Sequence, residues 1–292
     1  MLRKLMPAPV RRLLKPAFLA IRRFLITQLI EPGEVWLGKR DPLLPPRSKM
    51  YIGGGDFSAI GEEFRQFFID LCDLKPHQSV LDVGCGVGRI AVPLTAYLKS
   101  PGSYEGFDPV PEAIQWCRRY ITTRFPGFRF RQVDVRNGFY HPTGRGQARH
   151  FTFPYAGEQF DLVMLVGVFT HMSTIEVDHY LSEIQRVLRP GGRVFTTFFL
   201  LDEVSGSLMS ESASAYNFQY KLDGRYTFDP TDPNRGTAHD AAEILSLFEK
   251  NKLSLSLPVQ YGDWSGRQPA LSFLDIVVGQ KIVSPGTSPN TP

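Results

Sequence analysis

Cysteine is scarce in this chain: Cys72, Cys85 and Cys117 are the only three in 292 residues. Their odd number and the absence of metal-like spacing exclude a disulfide scaffold and a cysteine-based metal centre. Each reads as a buried structural residue, and together they favour a reducing, cytoplasmic setting. Long apolar runs are also missing, since no stretch approaches the roughly 20 residues needed to span a bilayer. Arginines interrupt the apolar segment near the N-terminus, and no A-x-A-like site follows, which argues against a secretory signal. Internal repeats are absent. Acidic residues are missing altogether from residues 1–30, where seven of the 33 Lys and Arg lie: Arg3, Lys4, Arg11, Arg12, Lys15, Arg22 and Arg23. Without that arm, the remaining basic residues fall short of the 29 acidic ones. A globally basic surface of the nucleic-acid-binding kind is therefore unsupported, and no nucleic-acid partner is expected.

What is present divides by composition. In the arm, Phe18, Ile21, Leu25 and Leu29 share one helical stripe with Arg22 and Arg23 off it. Three readings stand for residues 1–30: an amphipathic helix on a membrane surface, a helix packed on the domain or in a homo-oligomer contact, and a cleaved or disordered leader. Pro32, Pro42, Pro45 and Pro46 make 31–48 a stiff connector rather than an element, closing a first region at 1–48. The remainder suffices for one α/β domain of about 230 residues with a sizeable core.

The informative stretch is Ser79-Val80-Leu81-Asp82-Val83-Gly84-Cys85-Gly86-Val87-Gly88-Arg89. A strand-like run stops at three alternating glycines and gives way to a helix-compatible segment. Glycine lets the backbone turn tightly and approach a ligand, and amides opening a helix favour negative charge. A dinucleotide fingerprint needs G-x-G-x-x-G, but the third glycine's position holds Arg89. Asp82, just before the turn, would also repel a pyrophosphate; a ligand with a free ammonium would be welcome there.

With Asp82, Gly84, Gly86 and Gly88 in place, the segment resembles motif I of the class I S-adenosylmethionine (SAM)-dependent methyltransferases, in particular the small-molecule type 11/12/25-like group. Further along, Asp108 ends a strand 20 residues after Gly88, and Asp134-Val135 ends the next. Val166-Gly167-Val168-Phe169-Thr170-His171-Met172 and Arg186-Val187-Leu188-Arg189-Pro190-Gly191-Gly192 add two more segments typical of that family. The tetrad (D/N)PP(Y/F) of DNA amino-methyltransferases is missing. The resemblance covers about residues 50–282. It implies a Rossmann-like sheet of seven mostly parallel strands with an antiparallel last strand and helices on both faces. It implies SAM as cofactor, released as S-adenosylhomocysteine, and a small-molecule acceptor. The cofactor-binding positions it carries over are Asp82, Gly84, Cys85, Gly86, Gly88, Asp108, Pro109, Asp134, Val135 and Val166, with Tyr51 as a residue that could close the pocket. No metal ligand is implied.

Residues 49–282 then form the methyltransferase domain. A helix is expected over 61–72, others over 90–98, 110–124 and from the capping box Ser173–Glu176 to Leu188. Strands are expected at 104–108, 128–133, 160–166 and 194–200, and a terminal hairpin from 253–259 and 271–278. Residues 136–159 form an unusually long connection, and 201–238 read as a lid that meets the acceptor. Residues 283–292 read as a disordered tail. Transfer to an oxygen acceptor needs a base near neutral pH, for which histidine is suited. His171, after the central strand, is the first candidate, and His239, placed at the start of a helix over 240–252, is the second. If the acceptor is carbon or nitrogen, His171 is not needed as a base. A SAM-binding protein without turnover is a third reading, and a lipid- or glycan-like acceptor suits the amphipathic arm.

Overall fold

Residues 25, 29–50, 55–138 and 140–283 are described by the computed structural model. Tyr51, most of the basic arm and the tail from 284 lie outside them. The chain divides into a unit up to Ile60 and a larger one from Gly61. In the first, Glu31–Trp36 forms a short helix, α1, with Pro32 in its first turn. That stretch was expected to be connector; proline fits here because a first-turn residue needs no N–H donor. Helix α2, Phe57–Cys72, spans the division.

The larger unit is built on β1 (Ser79–Val83), β2 (Ser103–Asp108), β3 (Phe128–Gln132), β4 (Phe160–Leu165), β5 (Leu188–Phe198), β10 (Leu253–Leu255) and β11 (Asp275–Lys281). They form one sheet in the order β10-β11-β5-β4-β1-β2-β3. Neighbours from β3 to β5 run parallel, whereas β11 is antiparallel to both β5 and β10. The long apolar runs of β1 and β4 are what a strand covered on both faces requires. On β5 the alternation shows this directly. Phe195 meets Phe68 of α2 edge-on at 5.0 Å. Val194 and Phe198 point the other way, into a cluster with Leu181 and Ile184 of α5 (Thr174–Val187) and with Ile244 and Phe248 of α7 (Ala241–Lys250). Both Ser173 and Glu176 complete the capping box that starts α5, a feature worth about 1 kcal/mol.

Helix α3 (Ala91–Tyr97) follows β1, and α4 (Pro111–Cys117) follows β2 and runs into a π turn over Arg118–Thr122. After Phe198 the chain leaves the main sheet. Short strands β6 (Leu200–Leu201), β7 (Tyr220–Leu222), β8 (Arg225–Thr227) and β9 (Thr237–Asp240) make a second sheet in the order β6-β9-β8-β7, with α6 (Glu203–Ser210) capped by Asp202. Phe199, Phe218, Ala238 and Trp264 form its apolar centre. Asp275, buried at the start of β11, ties the two sheets. It accepts from the Leu200 amide at 2.6 Å, the Gly262 amide at 2.7 Å and the Trp264 indole at 2.8 Å.

Several expected boundaries move. The helix expected over 61–72 starts at Phe57, the helix expected over 110–124 gives way to the π turn after Cys117, and the strand expected from 194 starts at Leu188. Three further differences have a clear physical reason. The strand expected over 194–200 breaks at Phe199, because Leu200 and Leu201 pair with His239 and Asp240 instead. His239 therefore lies in β9 and not at a helix start; the helix begins at Ala241, with the Asp240 side chain accepting from the Glu243 amide. The terminal hairpin is shorter on one side and shifted on the other, since 256–274 is mostly irregular around the turn Asp263–Ser265.

Candidate active site

The carboxyl ends of β1, β2 and β4 meet where an open α/β sheet binds ligands. Gly84, Gly86 and Gly88 have φ of 80°, 51° and 79°, conformations that side chains resist. A Cβ on Gly84 would lie 2.6 Å from Val168 Cγ2, and one on Gly88 would lie 2.7 Å from Ile121 Cδ1. The loop is thus closed against the segment after β4 on one side and against the π turn on the other.

Four of its amides are spoken for within the protein. Those of Gly84 and Cys85 donate to the Phe107 carbonyl at 2.9 and 3.1 Å, and that of Gly88 donates to the Cys85 carbonyl at 2.9 Å. The Gly86 amide donates to Asp108 Oδ2 at 2.9 Å. The sequence suggested amides poised for negative charge. The loop instead brings the backbone close and leaves the charge to two buried carboxyls.

Asp82 is 2% exposed and accepts from the Tyr104 hydroxyl at 2.5 Å. Burial pushes its carboxyl up to about 7 against the lowering effect of that bond, and the charge of Asp108 adds to the rise. Asp108 accepts from the Gly86 and Val110 amides, the latter at 2.8 Å; Pro109 between them has no amide to offer. Burial still raises its carboxyl. Two adjacent acids held in the interior favour a cationic ligand with hydroxyls and disfavour a pyrophosphate.

Asp134 is arranged differently. Its carboxylate is 43% exposed and takes the Arg145 guanidinium at 2.7 Å, the Arg145 amide at 3.2 Å and His141 Nε2 at 3.4 Å. The Arg145 bonds hold it below the usual carboxylate range. Val135 is buried and bridges to Gly146, so the long connection folds back along the end of β3. Val166 lies just past β4, where Gly167, at φ 69°, donates to Thr197 Oγ1 at 2.8 Å.

His171 closes a 3₁₀ turn, Phe169–His171, that starts immediately after Val168. Its Nδ1 is 2.7 Å from the Asn234 carbonyl. A carbonyl can only accept, so Nδ1 carries the proton and Nε2 keeps its lone pair. Burial lowers the imidazole's pKa, which keeps the ring neutral near pH 7. Tyr140 meets the ring edge-on at 5.3 Å. Asn234 is in turn held by Arg225, whose Nη1 donates to Asn234 Oδ1 at 2.9 Å.

His239 is fully buried, with Nε2 3.2 Å from the Phe169 carbonyl and Nδ1 3.3 Å from Thr174 Oγ1. Burial lowers its pKa to about 4. Both nitrogens are occupied, so its position suits fastening β9 to the Phe169–His171 turn. Sequence reasoning missed Asn234, Arg225 and Arg145. No local pattern marks a backbone carbonyl 63 residues beyond the imidazole it orients.

The methyltransferase domain family matches residues 80–192, from β1 into the first half of β5. These residues form a class I SAM-dependent methyltransferase domain. A sterol 24-C-methyltransferase of Schizosaccharomyces pombe is 30% identical over 148 residues, half of this chain and 34% of that protein. A phthiotriol/phenolphthiotriol dimycocerosates methyltransferase of Mycobacterium ulcerans is 34% identical over 121 residues, 40% of this chain and 36% of the relative. The chain thus spans about a third of the length of these curated relatives. Beyond the methyltransferase domain, the fold extends to the crystal structure of the PH0226 protein from Pyrococcus horikoshii. That structure has a TM-score of 0.54 at 15% identity and covers 80% of this chain and 95% of its own. The cofactor of the domain is SAM, and the residues at the strand ends fit it: an ammonium and ribose hydroxyls suit the paired carboxyls of Asp82 and Asp108.

Proposed function

We propose that this chain methylates a hydroxyl group on a small, lipid- or glycan-like acceptor, with His171 as the base. The observation that carries the reading is the orientation of His171, a neutral imidazole whose Nδ1–H is tied to Asn234 and whose Nε2 remains basic. SAM supplies a methyl already activated on a sulfonium, so the protein's share is chiefly alignment, worth about 7–11 kcal/mol when complete. Asp82 would pair with the cofactor's ammonium, Asp108 would accept from its ribose hydroxyls, and Gly84 to Gly88 would allow its close approach. His171 Nε2 would take the acceptor's hydroxyl proton, leaving the oxygen to accept the methyl that bound SAM would supply. Asp134, paired with Arg145 but still partly exposed, would meet the adenine amino group. Residues 201–238, joined to Phe199 and Trp264 in one small apolar centre, serve as the wall that selects the acceptor.

The relatives support a lipid-like acceptor, because their names specify a sterol and a dimycocerosate. One of them also specifies carbon, so C-methylation is the second reading, in which His171 only positions the acceptor. Calorimetry with SAM and S-adenosylhomocysteine is expected to show one site per chain, lost in Asp108→Ala. Labelled SAM offered with a long-chain diol and with a sterol then separates the readings. An O-methyl product supports the proposal. A C-methyl product, or SAM binding with no transfer to either, overturns it.

A further inference from the structure

Trp36 is 85% exposed, and Leu29, Ile30 and Leu37 are 63%, 49% and 57% exposed. Within α1, at about 100° per residue, Gly33 and Trp36 share one narrow arc, with Leu29 and Ile30 leading into the helix and Leu37 following it. Gly33, inside that arc, has nothing within 4 Å of where a Cβ would stand. Both acids of α1 lie off the arc and face Arg47. Glu31 is 5% exposed and accepts from the Arg47 amide at 2.8 Å; the Arg47 guanidinium lies 3.7 Å from Glu31 and 3.1 Å from Glu34. The helix therefore turns its negative charge inward and presents an apolar stripe to water.

The charge of the sequence that precedes the stripe selects its occupant. Seven Lys and Arg and no acid precede it within residues 1–30. A second copy of the chain would bring an identical set of cations and repel them. A bilayer surface with anionic headgroups attracts them, and tryptophan favours the boundary between headgroup and acyl chain. No helix among the described residues is long and apolar enough to cross the membrane. The geometry points to peripheral docking: Leu29, Ile30, Trp36 and Leu37 enter the boundary region of an anionic bilayer while the basic residues of 1–30 meet its charge. This holds whatever the acceptor of methyl transfer is.

The chain carries its own reporter. Of its three tryptophans, Trp116 and Trp264 are buried, so an emission shift on binding reports Trp36. The full chain is mixed with vesicles of phosphatidylcholine alone, or of equal parts phosphatidylcholine and phosphatidylglycerol. The expected result is co-sedimentation with the mixed vesicles, a blue shift, and release by salt. Neutral vesicles are expected to bind about tenfold more weakly or worse. Trp36→Glu with Leu37→Glu abolishes sedimentation and leaves the thermal midpoint unchanged, while Arg22→Glu with Arg23→Glu weakens binding to the mixed vesicles alone. The inference is overturned by any of three outcomes: no sedimentation with mixed vesicles, full sedimentation of the Trp36/Leu37 double variant, or a lipid-free dimer in which Trp36 is already shielded from quencher.

Discussion

Asp82 and Asp108 stand on adjacent strands of one sheet, 26 residues apart in sequence, and each is held by neighbours within that βαβ unit. His171 and the groups around it come from four separate places: the turn after β4, the connection carrying Tyr140, the strand carrying Arg225 and the turn carrying Asn234. The first wall is made by backbone conformation and burial, the second by a relay of side chains on inserted segments. A cofactor common to many enzymes needs the same contacts each time. An acceptor does not, and on the proposed reading its wall would be assembled from loops that can vary without disturbing the sheet.

The largest effect that separates the two walls is expected from His171→Ala. If His171 is the base, kcat falls about 10²- to 10⁴-fold, while SAM affinity stays within about twofold because the substituted group lies on the other wall. Burial lowers the His171 pKa, so the acidic limb of the kcat/KM profile should sit below the ordinary histidine value of about 6.5. Stopped turnover with intact binding sharpens the division. Lost SAM binding would merge the two walls into one.

A smaller effect tests the cofactor wall alone. Burial holds Asp82 up to about 7, so in the free protein it is protonated below that pH, and pairing with an ammonium requires the proton to leave. SAM affinity should therefore fall as pH drops below about 7, approaching tenfold per unit. Asp82→Asn should bind more weakly at pH 8 and show a flat profile, as isothermal titration at several pH values would reveal. A wild-type profile that is already flat would mean that Asp82 does not meet the cation.

The same contrast explains what the sequence made legible. The sheet with its antiparallel last strand follows from the resemblance, while the capping box at Ser173 and the tight turn at Gly84 to Gly88 follow from patterns a few residues long; the structure shows all three. Local pattern failed where a contact is distant. Histidine before a helix-like run looked like a helix start, yet pairing with Leu200 drew His239 into β9. The resemblance gives Asp134 as a cofactor-binding acid and says nothing of Arg145, which reaches it from the returning connection and holds its carboxylate. Prolines at 32 and 42–46 suggested a connector, although the first falls where a helix tolerates it.

The smallest effect probes the relay itself. Arg225 touches neither His171 nor the glycine loop in any hydrogen bond described; it acts through Asn234, whose carbonyl orients the imidazole. Arg225→Ala leaves that carbonyl in place but frees the side chain that steadies the turn Pro233–Arg235. A small loss of alignment should lower kcat about three- to tenfold, with SAM affinity unchanged and the fold intact, because Thr237 Oγ1 still donates to the Pro233 carbonyl at 3.0 Å. Asn234→Ala removes the same link from the other end. The double variant should be no worse than either single one, since both cut one connection. Additive losses would show that Arg225 and Asn234 act separately, and the second wall would then be a set of independent contacts on the acceptor.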